Sequence, residues 1–411
     1  MSAELFTHAN DEAMRKRAEQ VMPGGVYGHM AAHALPLGYP QFTLDGEGVR
    51  FRDLDGNEYI DFMCSWGPVV LGRKNPVVEA AVQRQLGLAD TVNGAAPVMV
   101  ELAELLVDTI PHADWAMLAK NGTDATTTCV TIARAATGRR KVLVARGAYH
   151  GSAPWCTPGP AGVTPEDRAN LSYFDYNDIT SLTAAVDQAG TDLAAIVLLP
   201  GRHDAHRAQE LVVPEFAQAA RRLCDQHGAA LILDDVRWGF RIDVQGSWEP
   251  IGVRPDLSAY SKAIANGYPL AAIAGRESLR EAARSVYVTG SFWYSAVPMA
   301  AAVATITQLR DTDALTRIRV AGERLRDGLL GQAKAYGLDV AHTGPVQAPL
   351  LVFADDPAQE IAGRWTSEAV QRGVYLHPWH NWFLAAAHTD TEIDAALERT
   401  EEAFAAVARG R

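Results

Sequence analysis

From about residue 75 to residue 275, the apolar positions of this chain fall into short continuous runs separated by amphipathic stretches. The five clearest runs cover residues 115–118, 141–144, 194–199, 230–233 and 270–274. Continuous apolar strands between amphipathic helices are typical of a sheet that is covered by helices on both faces. The pattern therefore predicts an α/β fold with a mostly parallel central sheet.

The two ends of the chain have a different pattern. Residues 9–21 predict a helix, and alternating positions around 42–44 and 49–52 predict short strands with Asp-Gly turns. After residue 301 the pattern predicts long helices, a strand near 350–353 and a final helix from about Thr391. We therefore predict a large α/β domain at 63–300. Residues 1–62 are part of a small domain, and residues 301–411 form its α+β C-terminal part.

Composition and charge narrow the functional classes. The chain has 411 residues, of which 48% are hydrophobic and 21% charged, as in an ordinary globular protein. A formal net charge of −12 argues against nucleic acid or an anionic membrane as a partner. The four cysteines have no CxxC spacing, so neither a metal site nor a disulfide framework is expected. No signal peptide or membrane span is recognised, which predicts a cytoplasmic location.

Two polar residues at the ends of apolar runs suggest a cofactor. Lys262 stands alone in an apolar, glycine-flanked stretch, where desolvation lowers the pKa of the amine and makes it a nucleophile. Asp234 ends the preceding apolar run and offers the carboxylate that a pyridine nitrogen needs. Together they indicate pyridoxal 5'-phosphate (PLP), held as a Schiff base to Lys262 with its ring nitrogen protonated by Asp234. An ordinary strand-end lysine and a capping or salt-bridged aspartate remain the alternatives.

Two further clusters follow predicted strands, where ligands bind in open parallel sheets. N-G-T-D at 121–124 precedes a helix, so Gly122, Thr123 and the helix N-terminus suit a phosphate. Tyr149, in G-A-Y-H-G at 147–151, is placed to stack on a flat ring, with Val236 on the opposite ring face. Simple helix capping and a structural tyrosine remain the alternatives.

These motifs, in this order, resemble those of the class III PLP-dependent aminotransferases, and within them the glutamate-1-semialdehyde aminomutase-like branch. N-G-T-D-A-T at 121–126 is similar to the family's S-G-T-E-A-T phosphate loop. The stretch from Arg134 to Tyr149-His150-Gly151 resembles R-A-x-T-G-R…Y-H-G, and D-D-V-R-W-G-F-R at 234–241 resembles D-E-V-x-T-G-F-R. The resemblance extends from Pro23 to the C-terminal helix.

The resemblance implies a type I PLP-dependent transferase fold and a homodimer with shared active sites. It also places His150 among the cofactor-binding residues. Ser291 takes the place of a family threonine that contacts the phosphate from the neighbouring subunit. Trp66, in S-W-G-P at 65–68, corresponds to a tryptophan that lines the substrate pocket.

Departures from the family pattern concern the substrate. The aminomutases carry a carboxylate-binding arginine shortly after P-G-G-V, whereas this chain has Y-G-H-M-A at 27–31. Leu199 replaces the glutamate of an E-P pair, and Trp238 replaces a threonine. A substrate carboxylate could still be met by His29, Arg202 or Arg237. We therefore place His29 and Arg237 with Trp66 in the substrate pocket.

Three functional hypotheses follow. The first is an aminotransferase that moves an amino group from an amine or amino acid to a keto acid, ketone or aldehyde by a ping-pong mechanism, with Lys262 as the general base. The second is an intramolecular aminomutase or a racemase, and the missing arginine counts against glutamate-1-semialdehyde itself as the substrate. The third is a silent relative with a binding role, which the intact Lys262 and Asp234 disfavour. The aromatic residues within 292–294 and 379–383 either line the pocket or belong to the core or the dimer interface. An aromatic-rich pocket and the missing arginine favour an aromatic or otherwise apolar amine, or a β- or ω-amino acid, as the donor.

Overall fold

The structure is a computed structural model that describes residues 6–204, 206–354 and 356–410. The chain forms two compact units. The first unit comprises Met1–Asn75, Ala205–Gln209 and Thr316–Arg411, and the second comprises Pro76–Asp204 and Glu210–Leu315.

The second unit is built on a seven-stranded sheet in the order β4-β12-β11-β10-β7-β5-β6. Its strands are β4 (Trp115–Ala119), β5 (Lys141–Ala145), β6 (Leu171–Phe174), β7 (Leu193–Leu198), β10 (Ala230–Asp234), β11 (Leu257–Tyr260) and β12 (Ala271–Gly275), and β8 (Gly201–Arg202) pairs separately with β9 (Glu210–Leu211). Its helices are α2 (Pro76–Leu86), α3 (Pro97–Thr109), α4 (Gly122–Thr137), α5 (Pro165–Arg168), α6 (Ile179–Ala189), α7 (Pro214–His227), α8 (Arg280–Ser285) and α9 (Ala296–Asp311).

Helices cover both faces of this sheet. Strand β7 is apolar at every position because successive side chains point to opposite faces of the sheet, and a hydrophobic core covers each face. Ile196 and Leu198 pack with Phe216 of α7, whereas Val197 packs with Ile132 of α4. Pairings among β5, β6, β7, β10 and β11 are parallel, and β12 is antiparallel to both of its neighbours. Strand β4 therefore runs in the same direction as the parallel set.

The first unit holds a four-stranded sheet in the order β1-β2-β3-β15 and a hairpin of β13 and β14. Its strands are β1 (Thr43–Glu47), β2 (Arg50–Asp53), β3 (Glu58–Asp61), β13 (Val340–Thr343), β14 (Leu350–Phe353) and β15 (Val374–Tyr375). Its helices are α1 (Ala9–Val21), α10 (Ala314–Ala335, whose first two residues belong to the second unit), α11 (Glu360–Val370) and α12 (Asp390–Arg409).

The predicted α/β class with a mostly parallel sheet is confirmed. All five apolar runs of the central region are strands of the seven-stranded sheet. Within the described part of the chain, the longest and most apolar helices still fall short of what a membrane crossing requires.

Candidate active site

The carboxyl ends of four parallel strands bring the candidate residues of the second unit to one edge of its sheet. Strand β4 leads into the N-terminus of α4, β5 leads to residues 147–151, β10 ends at Asp234, and β11 leads to Lys262. Parallel strands end at the same edge, which is where open α/β sheets bind their ligands. The fold therefore places Lys262, Asp234, Tyr149 and the N-terminus of α4 at the same carboxyl edge of the seven-stranded sheet.

Lys262 begins a short 3-10 helix, Lys262–Ala265, directly after β11. Its backbone has φ of 44°, a left-handed conformation that is strained for a residue with a side chain and is found most often at functional sites. Desolvation lowers the pKa of the Lys262 amine from 10.5 to about 7, with Arg237 adding to the effect and Asp234 opposing it. The amine is therefore largely neutral just above neutral pH, as a nucleophile or general base requires.

Asp234 is buried and oriented from two sides. Its Oδ2 lies 2.7 Å from Nδ1 of His150, and its Oδ1 accepts a hydrogen bond from the backbone N–H of Val236 at 3.2 Å. His150 is itself fixed, because its carbonyl accepts a hydrogen bond from Thr126 Oγ1 at 2.7 Å. The imidazole thus holds the carboxylate in one orientation and leaves it lone pairs for a further donor.

The N-terminus of α4 combines a helix cap with close backbone packing. The side chain of Asn121 caps the helix by accepting from the backbone N–H of Asp124 at 2.9 Å, so the capping interpretation holds for Asn121. Thr123 Oγ1 accepts from the N–H of Ser152 at 3.1 Å. A Cβ on Gly151, where φ is 125°, would lie 2.5 Å from Thr123 Oγ1. Glycine is therefore required for this close approach of residues 151 and 152 to the start of α4, the helix end that the sequence predicts to bind a phosphate.

A second glycine contact lies on the ring-binding side of this helix end. A Cβ on Gly122 would lie 2.7 Å from Val236 Cγ1, so the start of α4 and the predicted ring-packing valine are in contact. Nε2 of His150 is buried and has no hydrogen-bond partner among the described residues. A buried polar atom without a partner marks a place where a ligand or water completes the network. These features fit a flat, nitrogen-containing ring with a phosphate arm.

Tyr149 and Arg237 border the same group. The Tyr149 side chain is about half-exposed, and desolvation raises its pKa, with Arg237 opposing the effect. Arg237 is buried, and its Nη1 donates to the carbonyl of His203 at 3.5 Å. Desolvation lowers the pKa of Arg237 to about 10, so the guanidinium remains a cation at neutral pH. The structure therefore brings Tyr149 and Arg237 to the neighbourhood of Asp234 and Lys262.

The remaining predicted residues lie elsewhere. Ser291 is exposed in a turn that precedes α9. Trp66 and His29 belong to the first unit, where their ring centroids are 4.2 Å apart, and the ring of Trp66 also lies 5.4 Å from that of His377. The predicted roles of these residues in phosphate and substrate binding stay predictions.

Sequence reasoning missed one buried residue of this edge, His203. It follows β8 shortly after β7, and the rule that ligands bind at strand ends would have pointed to it. The sequence departure at Trp238 depends on a nearby glycine. A Cβ on Gly201 would lie 2.4 Å from the ring of Trp238, so the glycine makes room for the indole that replaces the family threonine.

A poised lysine, a buried carboxylate and a glycine-packed helix end at the carboxyl edge of a mostly parallel sheet define a PLP-dependent transferase of fold type I. The family profile described as aminotransferase class-III matches residues 38–404 of the chain. The protein belongs to the class-III aminotransferases.

Three relatives show how close the similarity is. The chain is 47% identical to aminopentol aminotransferase of Sphingopyxis macrogoltabida, over 96% of this chain and 94% of that protein. It is 33% identical to glutamate-1-semialdehyde 2,1-aminomutase of Desulforudis audaxviator, over 97% and 98% of the two chains. The FumI protein of Sphingopyxis sp. MTA144, solved in its PLP internal aldimine form, superposes with a TM-score of 0.96 at 47% identity, over 97% and 96%.

These findings confirm the predicted family, fold type, cofactor and reaction class. The protein is a PLP-dependent aminotransferase that moves an amino group from an amine or amino acid to a carbonyl acceptor. The aminomutase is the more distant relative, at 33% against 47% identity. The hypothesis of a silent relative without catalysis is not supported.

Proposed function

We propose that the physiological donor is an amino polyol whose amine-bearing carbon carries no carboxylate, and that the acceptor is a keto acid. The observation that carries this proposal is the 47% identity, over nearly the full length of both chains, to a protein named for its action on aminopentol. The sequence agrees, because Y-G-H-M-A at 27–31 lacks the arginine that binds a substrate carboxylate in the aminomutases. The aromatic or β-amino donors that the sequence suggested are the competing donor classes.

We assign the cofactor contacts to residues of the second unit. Lys262 holds the cofactor as a Schiff base, Asp234 faces the ring nitrogen, and His150 keeps the Asp234 carboxylate in place. Gly122, Thr123 and the N-terminus of α4 hold the phosphate, and Ser291 of a second copy adds a hydroxyl. Tyr149 and Val236 enclose the ring. When bound, PLP supplies an electron-accepting ring that makes the hydrogen on the substrate's amine-bearing carbon acidic.

The proton transfer is carried out by Lys262. With its pKa lowered to about 7, the neutral amine would accept the proton from the substrate's amine-bearing carbon. It would then deliver this proton to the C4' carbon of the cofactor. The buried carboxylate of Asp234 stabilises positive charge on the ring nitrogen throughout, and the 2.7 Å contact with His150 prevents it from turning away. These side chains thus move one proton and hold one charge.

A donor panel tests the proposed substrate class. The purified holoenzyme is mixed with one amine at a time, without acceptor, and the absorbance band of the lysine-bound cofactor is followed. We expect a 2-amino polyol to remove the band and pyruvate to restore it, because the donor leaves its amino group on the cofactor. A 2-aminoalkane of the same chain length, without hydroxyl groups, is the matched control and is expected to react more slowly.

Other results would contradict the donor assignment. A band that vanishes with alanine or a β-amino acid but persists with the amino polyol would show that the donor carries a carboxylate. A band that persists while glutamate-1-semialdehyde is isomerised would instead restore the aminomutase hypothesis.

We also propose that two copies form a homodimer through an apolar groove on the second unit. The groove is formed by α2, α3, α9 and the loop between α2 and α3, and it includes Leu88 and Val92, which are 81% and 45% exposed. Asp90, between them, accepts from Ser295 Oγ at 2.7 Å and from the N–H of Val297 at 2.9 Å. This contact links the groove to the turn that carries Ser291, so a second copy that covers the groove also covers this turn.

The dimer is tested by replacing Leu88 and Val92 with aspartate. We expect light scattering to give twice the chain mass for the wild type and a large monomer fraction for the double variant, because charges in an apolar interface are strongly unfavourable. Leu211→Asp, an exposed leucine on β9 outside the groove, is the control. A monomeric wild type with full activity would contradict the proposed shared active sites.

Two further assignments stay predictions. The cytoplasmic location would be tested by cell fractionation against a cytoplasmic marker. The cofactor-binding role of residues 63–300, with 1–62 and 301–411 as the small domain, would be tested by limited proteolysis with and without PLP.

A further inference from the structure

His203 is a buried histidine that the reaction described above does not use. It lies between β8 and β9, its side chain is only 5% exposed, and neither ring nitrogen has a hydrogen-bond partner among the described residues. Native proteins rarely leave a buried polar group unsatisfied, and those that do usually have a ligand or water at that place. Both hydrogen-bonding positions of this imidazole therefore need a partner.

The surroundings of His203 indicate the chemistry of that partner. Arg237 donates to the carbonyl of His203 at 3.5 Å, which ties the guanidinium to the loop that carries the imidazole. Burial, with Arg237 next and Lys262 as a further contribution, places the pKa of His203 well below its usual value. The imidazole is therefore neutral, with one N–H donor and one acceptor nitrogen. A cation and a neutral N–H donor side by side suit a carboxylate.

The orientation of His203 is fixed by Trp238. The two rings pack edge to face, with centroids 5.6 Å apart and an interplanar angle of 63°. Trp238 is itself fully buried, and it fits only because position 201 is a glycine. Trp238 thus packs against the imidazole, and Arg237 and Lys262 are both close enough to His203 to help lower its pKa.

We propose that Arg237 and His203 bind the carboxylate of the keto acid acceptor. Arg237 supplies the charge, His203 supplies a directional hydrogen bond, and Trp238 positions the imidazole. This inference rests on the proposed function, because a donor without a carboxylate leaves the acceptor as the one substrate that needs such a site. The keto acid that reacts in the second half of the reaction would then occupy an anion site that the amine donor leaves empty in the first half.

The test separates the two halves of the reaction. The enzyme is first converted to its aminated form with an amine donor, and the rate of its reaction with pyruvate or with butanal is then measured. Butanal is a carbonyl acceptor without a carboxylate. We expect His203→Phe to lower the ratio of kcat/KM for pyruvate to that for butanal about 10-fold or more, mainly through KM. Arg237→Gln is expected to lower this ratio about 100-fold.

Control variants and a binding measurement distinguish this role from a structural one. His203→Asn, which keeps a donor and an acceptor, is expected to recover part of the pyruvate preference. The sequence also offered Arg202 as a carboxylate partner, but the structure pairs its guanidinium with Asp204 at 2.7 Å. Arg202→Gln is therefore expected to keep the wild-type ratio, and a loss of the ratio in this variant would assign the carboxylate to Arg202 instead. Calorimetric titration with propionate, an unreactive carboxylate, should show weaker binding to Arg237→Gln and His203→Phe than to the wild type.

The proposal is overturned if His203→Phe and His203→Asn slow pyruvate and butanal equally. It is also overturned if they change the cofactor band or PLP affinity while the pyruvate-to-butanal ratio stays the same, since His203 would then serve the cofactor. A wrong donor assignment would be seen in a different experiment, because the donor panel follows the cofactor band without any keto acid and so does not depend on Arg237 and His203 binding a carboxylate.

Discussion

Lys262→Ala is expected to abolish transamination, with kcat reduced on the order of 10⁴-fold or more, because the change removes the group proposed to attach the cofactor and transfer the proton. The purified variant should also lack the absorbance band of lysine-bound PLP. Activity is measured in both half-reactions, and the spectrum is recorded after addition of excess PLP.

Lys141→Ala is the matched control for this experiment. Lys141 begins β5 of the same sheet, but its amine donates to the carbonyl of Ala169 at 2.9 Å, in an exposed position. We expect this variant to keep wild-type activity and spectrum. Full activity of Lys262→Ala would mean that another amine holds the cofactor.

Because the pKa of Lys262 is lowered, both the capture of PLP by the apoprotein and the stability of the apoprotein should depend on pH. Only the neutral amine attacks the PLP aldehyde, so the rate at which the apoprotein captures PLP should rise with pH through about 7 and then level off. The pKa of Lys262 is about 7 in the folded protein and 10.5 in the unfolded chain. Between these two pH values the amine is therefore protonated in the unfolded chain and neutral in the folded protein. The apoprotein should therefore gain stability as pH rises across this window, and Lys262→Ala should lack that gain.

Asp234→Asn is expected to lower the rate of the donor half-reaction about 10³-fold, in the range seen when one buried electrostatic contact to a reacting group is lost. In the wild type, His150 Nδ1 lies 2.7 Å from Asp234 Oδ2. The asparagine keeps an amide oxygen that can accept this hydrogen bond, so the fold should be retained. What is lost is the negative charge that is proposed to keep the ring nitrogen protonated. The measurement is the single-turnover loss of the cofactor band after mixing with donor.

Asp235→Asn is a control of identical chemistry one residue away. Asp235 is also buried, but it accepts hydrogen bonds from the N–H and Oγ of Ser247, and burial raises its pKa to about 6. We expect this variant to lose thermal stability and to keep most of its half-reaction rate. A rate for Asp234→Asn within tenfold of the wild type would remove Asp234 from the proposed ring contact.

The sheet was largely predictable because strands buried on both faces are apolar at every position, as in β7 and β10. Strand β11 was not among the predicted runs, although all four of its residues are buried. Its Ser258 satisfies its hydroxyl with His112 Nε2 at 2.8 Å, and this contact between distant parts of the chain has no local signature. Short β3 and β6 were missed because each exposes part of one face.

The placement of Lys262, Asp234 and Thr123 at one edge of the sheet was predictable, because each ends or follows an apolar strand of the parallel set. The strand-end rule points to the position of His203, but the lack of hydrogen-bond partners that marks its imidazole is a property of the folded chain and could not be predicted. The phosphate contact that the family resemblance predicts for Ser291 depends on a second copy and stays a prediction. Trp66 and His29 were predicted together, and the structure places their rings in contact within the first unit.

The fit between Gly201 and Trp238 restricts how this enzyme can be altered by directed evolution. A smaller residue at 238 would leave an unfilled cavity beside Gly201, and a larger residue at 201 would clash with the indole that is present now. Each single exchange therefore passes through a poorly packed intermediate, whereas the paired exchange restores contact. Mutant libraries aimed at acceptor preference should randomise positions 201 and 238 together, because single-site screening would discard variants that only the pair makes viable.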